Sequence, residues 1–365
     1  MNQKTLICFV IATVFAASNF IFAQESQKFT AAKHNEYGLI YSLPITHFDI
    51  TVTATKTVKV AGIYNKYAKK YLGVENAILD DSQSWELQSI ELTPYGVPDK
   101  DNEYLMQFKN GSSPFLMLDN NGLPLAINYE VRAIKATKIE AARIKNAITP
   151  NAAAQALSGE LLVSESIAKQ AEIAANQIYK IRESRTNFIT GEGDVMPPDG
   201  EAMKLMISKL DAQEVALMAL FLGTTSSETE AKHFDYTPSE EVNNEVILRI
   251  SDYNGIVDKN DLSGEPVYLT LKITQRGEMP VNEKGIEKKI PKGAVMYKIP
   301  GKAQITLKHN GKSIFDKNIE VAQYGIDFGL DPDMFTNKKQ PAYVIFDPQT
   351  GAVKEIGNAN QPTEK

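Results

Sequence analysis

The tripeptide His-Phe-Asp occurs twice in this chain, at residues 47–49 and 233–235. On a β-strand, residues two apart share a face, so each copy presents an imidazole and a carboxylate together. Two such pairs converging would offer donors for a divalent metal ion. Spacing of this kind without a third fixed ligand does not define a centre, and His47 and Asp49 fall on the polar side of their strand, where water is the default partner. The second copy follows a helical block and reads as loop. The other two histidines, His34 near the N-terminus and His309 in a hairpin turn, complete no Ser-His-Asp pattern.

Residues 185–214, RTNFITGEGDVMPPDGEAMKLMISKLDAQE, hold a second cluster of chemically capable groups. Glu192 and Asp194 alternate with Gly191 and Gly193, as a phosphate cradle, a calcium loop or an acid–base pair would require. A phosphate loop runs directly into a helix and carries a Lys with Ser or Thr, which this one lacks. The register of oxygen ligands also fails for an EF-type loop. A structural role fits better: the glycines end one helix, Pro197 and Pro198 prevent its continuation, and Asp199 caps the next. Arg182 and Arg185, one turn apart, are expected to neutralise Glu192 and Asp194. The Asp- and Asn-rich stretch 252–261 likewise has Gly and Glu at the wrong offsets for calcium and reads as a turn between strands.

In YNKYAKKYLG, Tyr64, Tyr67 and Tyr71 stand three and four residues apart, one stripe of a helical turn that Gly73 ends. Such a stripe either packs its rings on a sheet or grips a partner, since tyrosine is enriched at interfaces. These three residues are the candidate partner-binding positions. No residue is assigned to catalysis, to a cofactor or to a metal.

These groups must be positioned by two kinds of element. Residues 37–130 follow the strand period: Phe48, Ile50 and Val52 alternate with His47, Asp49, Thr51 and Thr53, and PFLMLDNNGLPLAI carries Asn-Gly as a hairpin turn. Residues 131–230 switch to the helical period, with Ile167, Ala171, Ala174, Ile178 and Ile181 on one face. Asp211 and Glu214 form a capping-box pattern before VALMALFLG, and Gly223 suits a left-handed stop. Strands resume over 231–358, and 359–365 is a polar tail.

The two strand-rich regions echo one another. Tyr41, Leu43 and Pro44 match Tyr297, Ile299 and Pro300; IELTPYG from Ile90 matches IEVAQYG from Ile319; Asp119 answers Asp347. The expected fold class is therefore α+β, mostly β: two related β-rich, sandwich-like domains separated by an α-helical segment. The interrupting helices, uneven strands and polar C-terminus argue against a membrane barrel.

The first residues set the compartment. Lys4 precedes an apolar run from Leu6 to Phe22, and Ala23 supplies a small residue for cleavage, so 1–23 reads as a signal peptide and 24–36 as a polar tail. No other apolar run approaches the length of a spanning helix. The single cysteine, Cys8, lies inside the signal and too close to its start for lipidation. The processed chain thus has no disulfide and no thiolate. Its formal charge goes from 39 − 45 = −6 to 38 − 45 = −7 once Lys4 is removed, which argues against a nucleic-acid partner.

The motifs YSLPIT, YNKYAKKYLG, RTNFITGEG, FLG, DLSGEPVYL, YKIPGKA and AQYG together resemble an uncharacterised, domain-of-unknown-function family of exported proteins of Gram-negative bacteria. The resemblance spans nearly all of the processed chain. It implies a periplasmic or envelope location and brings no activity and no site residue. The expected function is that of a non-catalytic envelope protein that binds a protein partner or a surface polymer, through Tyr64–Tyr71 or sheet edges. The alternative is an envelope-polymer hydrolase working through Glu192 and Asp194. Removal of the signal after Ala23 leaves 365 − 23 = 342 residues. Mass spectrometry of the exported protein is expected to give an N-terminus near Gln24 without an acyl group; a retained Met1 or a lipid on Cys8 would overturn the assignment.

Overall fold

In a computed structural model, the protein is described over residues 27–28, 39–106, 114–131, 166–192, 200–337 and 339–359. The signal, the polar tail up to 38 apart from 27–28, and Gly193 to Asp199 lie outside the described residues, as does 132–165. The described residues are mostly β, with three antiparallel sheets and a helical pair among them. Among the described residues no helix is long and apolar enough to cross a membrane.

The first sheet has the order β1-β3-β2-β6, from Gln27–Lys28, Ser82–Met106, Leu39–Val60 and Thr224–Tyr236. The alternation read from the sequence is realised on β2: Phe48, Ile50, Val52 and Ala54 are fully buried, and the residues between them face out. The buried row packs against the second sheet, ordered β11-β10-β9-β7-β8 (Lys312–Leu330, Val295–His309, Glu265–Gln275, Val242–Ser251, Gly255–Val257). Leu248, Val267, Leu269, Leu271, Ile305 and Leu307 meet it there, so the two sheets share one core. Trp85 closes one end of it over Gly255, whose positive φ and lack of a Cβ leave room for the indole.

The third sheet, β13-β12-β5-β4, combines Val353–Asn358 and Ala342–Phe346 with Pro124–Ile127 and Leu116–Leu118. Val344 and Phe346 join Ile127, Tyr41, Tyr104 and Met296 in a second core at the far ends of the long hairpins. Phe335 of the short helix α4 (Asp333–Thr336) covers it. The Tyr41 hydroxyl sits in this core, accepting from Met296 N at 2.8 Å. The Tyr104 hydroxyl donates to Asp327, whose other oxygen holds the buried Lys298 ammonium at 2.8 Å.

Two expectations are corrected here. The strand-rich regions 37–130 and 231–358 do not close into separate sandwiches: β6 extends the first sheet beside β2, and β5 pairs with β12 in the third. Alternation reveals which residues face inward but not which strand edges join, and both halves leave edges that only the other half completes. Each half does contribute a long hairpin followed by a short one. In both long hairpins the return strand carries four unpaired residues opposite one, beside Pro44 (99–102) and at Pro300 (322–325), and a single-residue bulge further on. Tyr95 and Tyr324 both lie on the return strands, but Tyr95 is at the outer face and Tyr324 is buried inside the bulge.

The second correction concerns residues 224–230, grouped with the helices in the sequence, and 233–235, read as loop. They form β6, which runs in unbroken register along β2 from Phe48↔Tyr236 to Val60↔Thr224. The helical block is otherwise present as α2 (Ile167–Thr190) and α3 (Gly200–Leu222). Gly191 and Gly223 stop them in the left-handed conformation. The face of α2 carrying Ala171, Ala174, Ile178 and Ile181 is buried, while Ile167 at its start is exposed.

Thr46 is wholly buried between the sheets, accepting from Ala322 N at 2.9 Å and donating to the carbonyl of Gln349 at 2.9 Å through its hydroxyl. Thr46→Val keeps the shape and strands both partners, so it is expected to lower unfolding stability by about 1–3 kcal/mol. Urea titration measures this, and an unchanged midpoint would refute it.

Candidate functional site

The polar face of the first sheet is built by strand alternation alone. With Phe48 and Ile50 committed to the core, His47, Asp49 and Thr51 must point away from it, and β6 presents His233, Asp235 and the adjoining Thr237 on the same side. In the antiparallel register Asp49 is paired with Asp235 and Thr51 with His233. Each imidazole therefore lies diagonal to the other copy's carboxylate. His233 Nδ1 is 3.0 Å from Asp49 Oδ2, and His47 Nδ1 is 3.4 Å from Asp235 Oδ2. The two His-Phe-Asp tripeptides form a reciprocal pair.

A third strand completes the cluster. Tyr95 of β3 is the register partner of His47, its ring 5.6 Å from the imidazole, and its hydroxyl donates to Asp235 Oδ1 at 2.6 Å. Partial burial, the Asp235 hydrogen bond and charge, and the nearby Asp49 push the Tyr95 phenol up to about 12. Around the cluster the face is rich in hydroxyls: Thr51, Thr53 and Thr55 on β2, Ser89 and Thr93 on β3, Thr229 on β6. Thr55 and Thr229 lie 3.2 Å apart, oxygen to oxygen.

The chemistry available here is limited by which nitrogen each hydroxyl reaches. In a nucleophilic relay the carboxylate holds one ring nitrogen and the hydroxyl the other. Thr51 instead lies 3.2 Å from His233 Nδ1, the nitrogen that Asp49 engages. Thr237 is closest to His47 Nδ1, at 3.0 Å, and reaches Nε2 only at 3.4 Å. Among the described residues no group of three or more His, Cys, Asp or Glu is arranged to hold a metal ion. The arrangement orients polar groups on an open sheet face.

The other candidates are placed differently. Tyr64 is buried: its ring packs 5.4 Å from Phe221 of α3, and its hydroxyl donates to Gln170 of α2. Tyr67 and Tyr71 are half-buried against the same helices, with the Tyr71 hydroxyl donating to Ala168 O. Tyr67 and Ala68 start the short helix α1 (Ala68–Leu72), which Gly73 ends in the left-handed conformation. The stripe thus docks the helical pair onto the sheet end, and Tyr64 is not free for a partner.

Arg182 and Arg185 do not pair with Glu192. Arg182 Nε donates to Glu214 at 2.6 Å, while Arg185 engages both Asp211 and Glu214. Asp211 and Glu214 are accordingly mid-helix residues of α3 and not a capping box, because three-residue spacing also sets two acids on one helix face. Glu192 is exposed at the end of α2, and Asp194 falls outside the described residues. Residues 252–261 are not one turn, since Gly255–Val257 form β8 within them; in the turn that follows, Asp258 and Asp261 accept from the backbone of Asn260 and Ser263, and the latter bond holds the Asp261 carboxyl below its usual value.

Tyr95 and Thr237 were missed as site members in the sequence. The repeated tripeptide was the available signal: identical copies on antiparallel neighbours set each histidine diagonal to the other's aspartate. A family model described as "Domain of unknown function (DUF4831)" matches residues 37–354. No curated protein and no solved structure matches the chain.

A phenol with a raised folded-state value binds its proton more tightly than in the unfolded chain. Its contribution is complete below pH 10 and is lost as pH climbs toward about 12. Tyr95→Phe is expected to reduce the alkaline loss of stability in that window, measured as melting temperature against pH. An identical pH profile would refute the tighter hold of the fold on the Tyr95 proton.

Proposed function

The chain belongs to this family, whose description gives no activity, and we propose on that premise that it is a non-catalytic, exported envelope protein that binds a protein partner or a surface polymer. The observation that carries the reading is the reciprocal His47–Asp235 and His233–Asp49 cluster, set on a hydroxyl-rich sheet face with no aligned nucleophile among the described residues. Its polar groups are oriented by one another and remain at the surface, as suits a contact made by hydrogen bonds. The signal-like residues 1–23 support export. Of the tyrosine stripe, only the rims of Tyr67 and Tyr71 remain for a contact, so the sheet face takes precedence over it.

The matched bulges and order of the two hairpin pairs support descent from one duplicated unit, with each copy now completing the other's sheets. The paired-carboxylate hydrolase gains no support, since the arginines expected to organise Glu192 are engaged by α3.

A photo-crosslinking amino acid at Thr93, on the exposed face beside the cluster, is expected to capture an envelope component in intact cells. The same probe at Leu262, on the exposed turn between β8 and β9, serves as a control. Equal capture at both positions, or cleavage of an envelope polymer by the purified protein, would overturn the proposal.

A further inference from the structure

Among the described residues the first sheet ends in a long edge that carries no bulge and no proline. Open edges are protected by bulges, prolines, charged side chains pointing outward or inward, or short length, because their unpaired N–H and C=O groups template another strand. β6 is 13 residues long, has no proline and pairs with β2 without a register shift. Its single lysine, Lys232, is turned toward the second sheet, donating to Ile256 O at 2.7 Å, and with Glu230 forms the inward charges that an added strand must pair. No residue of β6 is buried. The other edges are less suitable: β11 and the outer side of β3 are bulged, and β4, β8 and β13 are short.

The sequence of β6 points to its occupant. A two-fold axis perpendicular to the sheet keeps the inner faces of both copies on one side and pairs residue i with a residue of equal parity. Centring on Glu230 opposes two glutamates, on Thr229 opposes Glu228 with Glu230, and on Lys232 opposes two lysines. Centring on Ala231 sets the smallest side chain of the central stretch at the axis and pairs Glu230 with the other copy's Lys232 twice. It also brings Thr229 opposite His233 and Ser227 opposite Asp235, with no like charges opposed. Cross-strand pairs of opposite charge favour a register and like charges disfavour it. We propose that β6 is the interface of a homodimer, joined antiparallel edge to edge about Ala231, which makes the two first sheets one continuous eight-stranded sheet. The contact is isologous and closes on itself, as expected of a two-fold dimer. It is independent of the ligand proposed for the outer face, whose hydroxyls and His-Phe-Asp pairs remain open in the dimer.

Charge exchange tests this on the processed full chain by sedimentation equilibrium over a concentration series. The wild type is expected to form a dimer. Glu230→Lys and Lys232→Glu should each weaken self-association by about tenfold or more, since each replaces two opposite-charge pairs by two like-charge ones. An equimolar mixture of the two variants should dimerise again, because each Lys then meets a Glu across the interface. Both variants lose the internal Glu230–Lys232 contact at 3.4 Å, so recovery in the mixture cannot come from restored intrachain pairing. Circular dichroism checks that each remains folded. A wild type that stays monomeric, dimers indifferent to both substitutions, or a mixture that fails to reassociate would each overturn the proposal.

Discussion

The side chain of Gln323 serves as a peptide group for Thr46, and the joining of the three sheets depends on that pairing. Its Oε1 accepts from Thr46 N at 3.0 Å, and its Nε2 donates to Thr46 O at 2.9 Å and to Pro238 O at 2.7 Å. The need arises from the bulge on β11. Residues 322–325 have no ladder partner on β10, and buried backbone groups left without partners are costly. The Thr46 hydroxyl satisfies Ala322, and Gln323 reaches across to β2 and to the β6–β7 connection. One buried point therefore ties the first sheet to the second, and through Gln349 to the β12–β13 turn of the third. Backbone approach is equally close beside it: a Cβ on Gly96 would stand 1.9 Å from the Pro348 carbonyl oxygen, so β3 can meet the turn only with glycine there.

With β2 fixed at Thr46, the strand that follows is aimed. The next residue, His47, must face outward, and the inward row Phe48 to Ala54 is carried into the shared core. Beyond Ala54 the same strand runs on to Val60 and delivers the chain to the tyrosine stripe under the helical pair. Beyond the bulge beside Pro44 the preceding stretch reaches the second core, where Tyr41 and Tyr104 stack at 5.8 Å and lock onto Met296 of β10 and Asp327 of β11. The outer face, the helical pair and the third sheet are thus set by one strand and its single buried junction.

The legible part of the fold was the part governed by local chemistry. Alternation identified the inward row of β2, an Asn-Gly turn marked the hairpin at 121–122, and glycine stops ended α1, α2 and α3. Pairing between distant segments was not legible, because an inward-facing residue has the same pattern whichever sheet it joins. β6 shows why most sharply. As an edge strand it alternates Thr, Ser, Ala, His and Asp on its outer face with Thr, Ser, Glu and Lys on its inner one, where Phe234 and Tyr236 are the apolar residues, so no apolar period announced it. The Arg182 and Arg185 partners were mistaken for a related reason: sequence proximity to Glu192 was a weaker guide than the facing helix, which offers Asp211 and Glu214 at matching heights.

That lack of apolar pattern leaves the register of β6 weakly specified by burial, and a slip by two residues would cost little hydrophobic contact. The outer cluster supplies what burial does not. In the observed register Asp49 faces Asp235, an unfavourable opposition by itself. The diagonal imidazoles and the Tyr95 hydroxyl offset it, and they do so only when each His-Phe-Asp copy lies against the other. Moving β6 by two residues so that Asp49 meets Thr237 would separate both imidazoles from their carboxylates, whereas the opposite slip would set His233 across from Asp49 and His47 across from Asp235. Thr55 and Thr229 would lose each other as well. The repeated tripeptide therefore opposes slippage in one direction, and the Thr55–Thr229 contact opposes it in the other, for an edge strand that its own hydrophobicity cannot place. The polar groups offered to a partner on this face are the same ones that fix the strand presenting them.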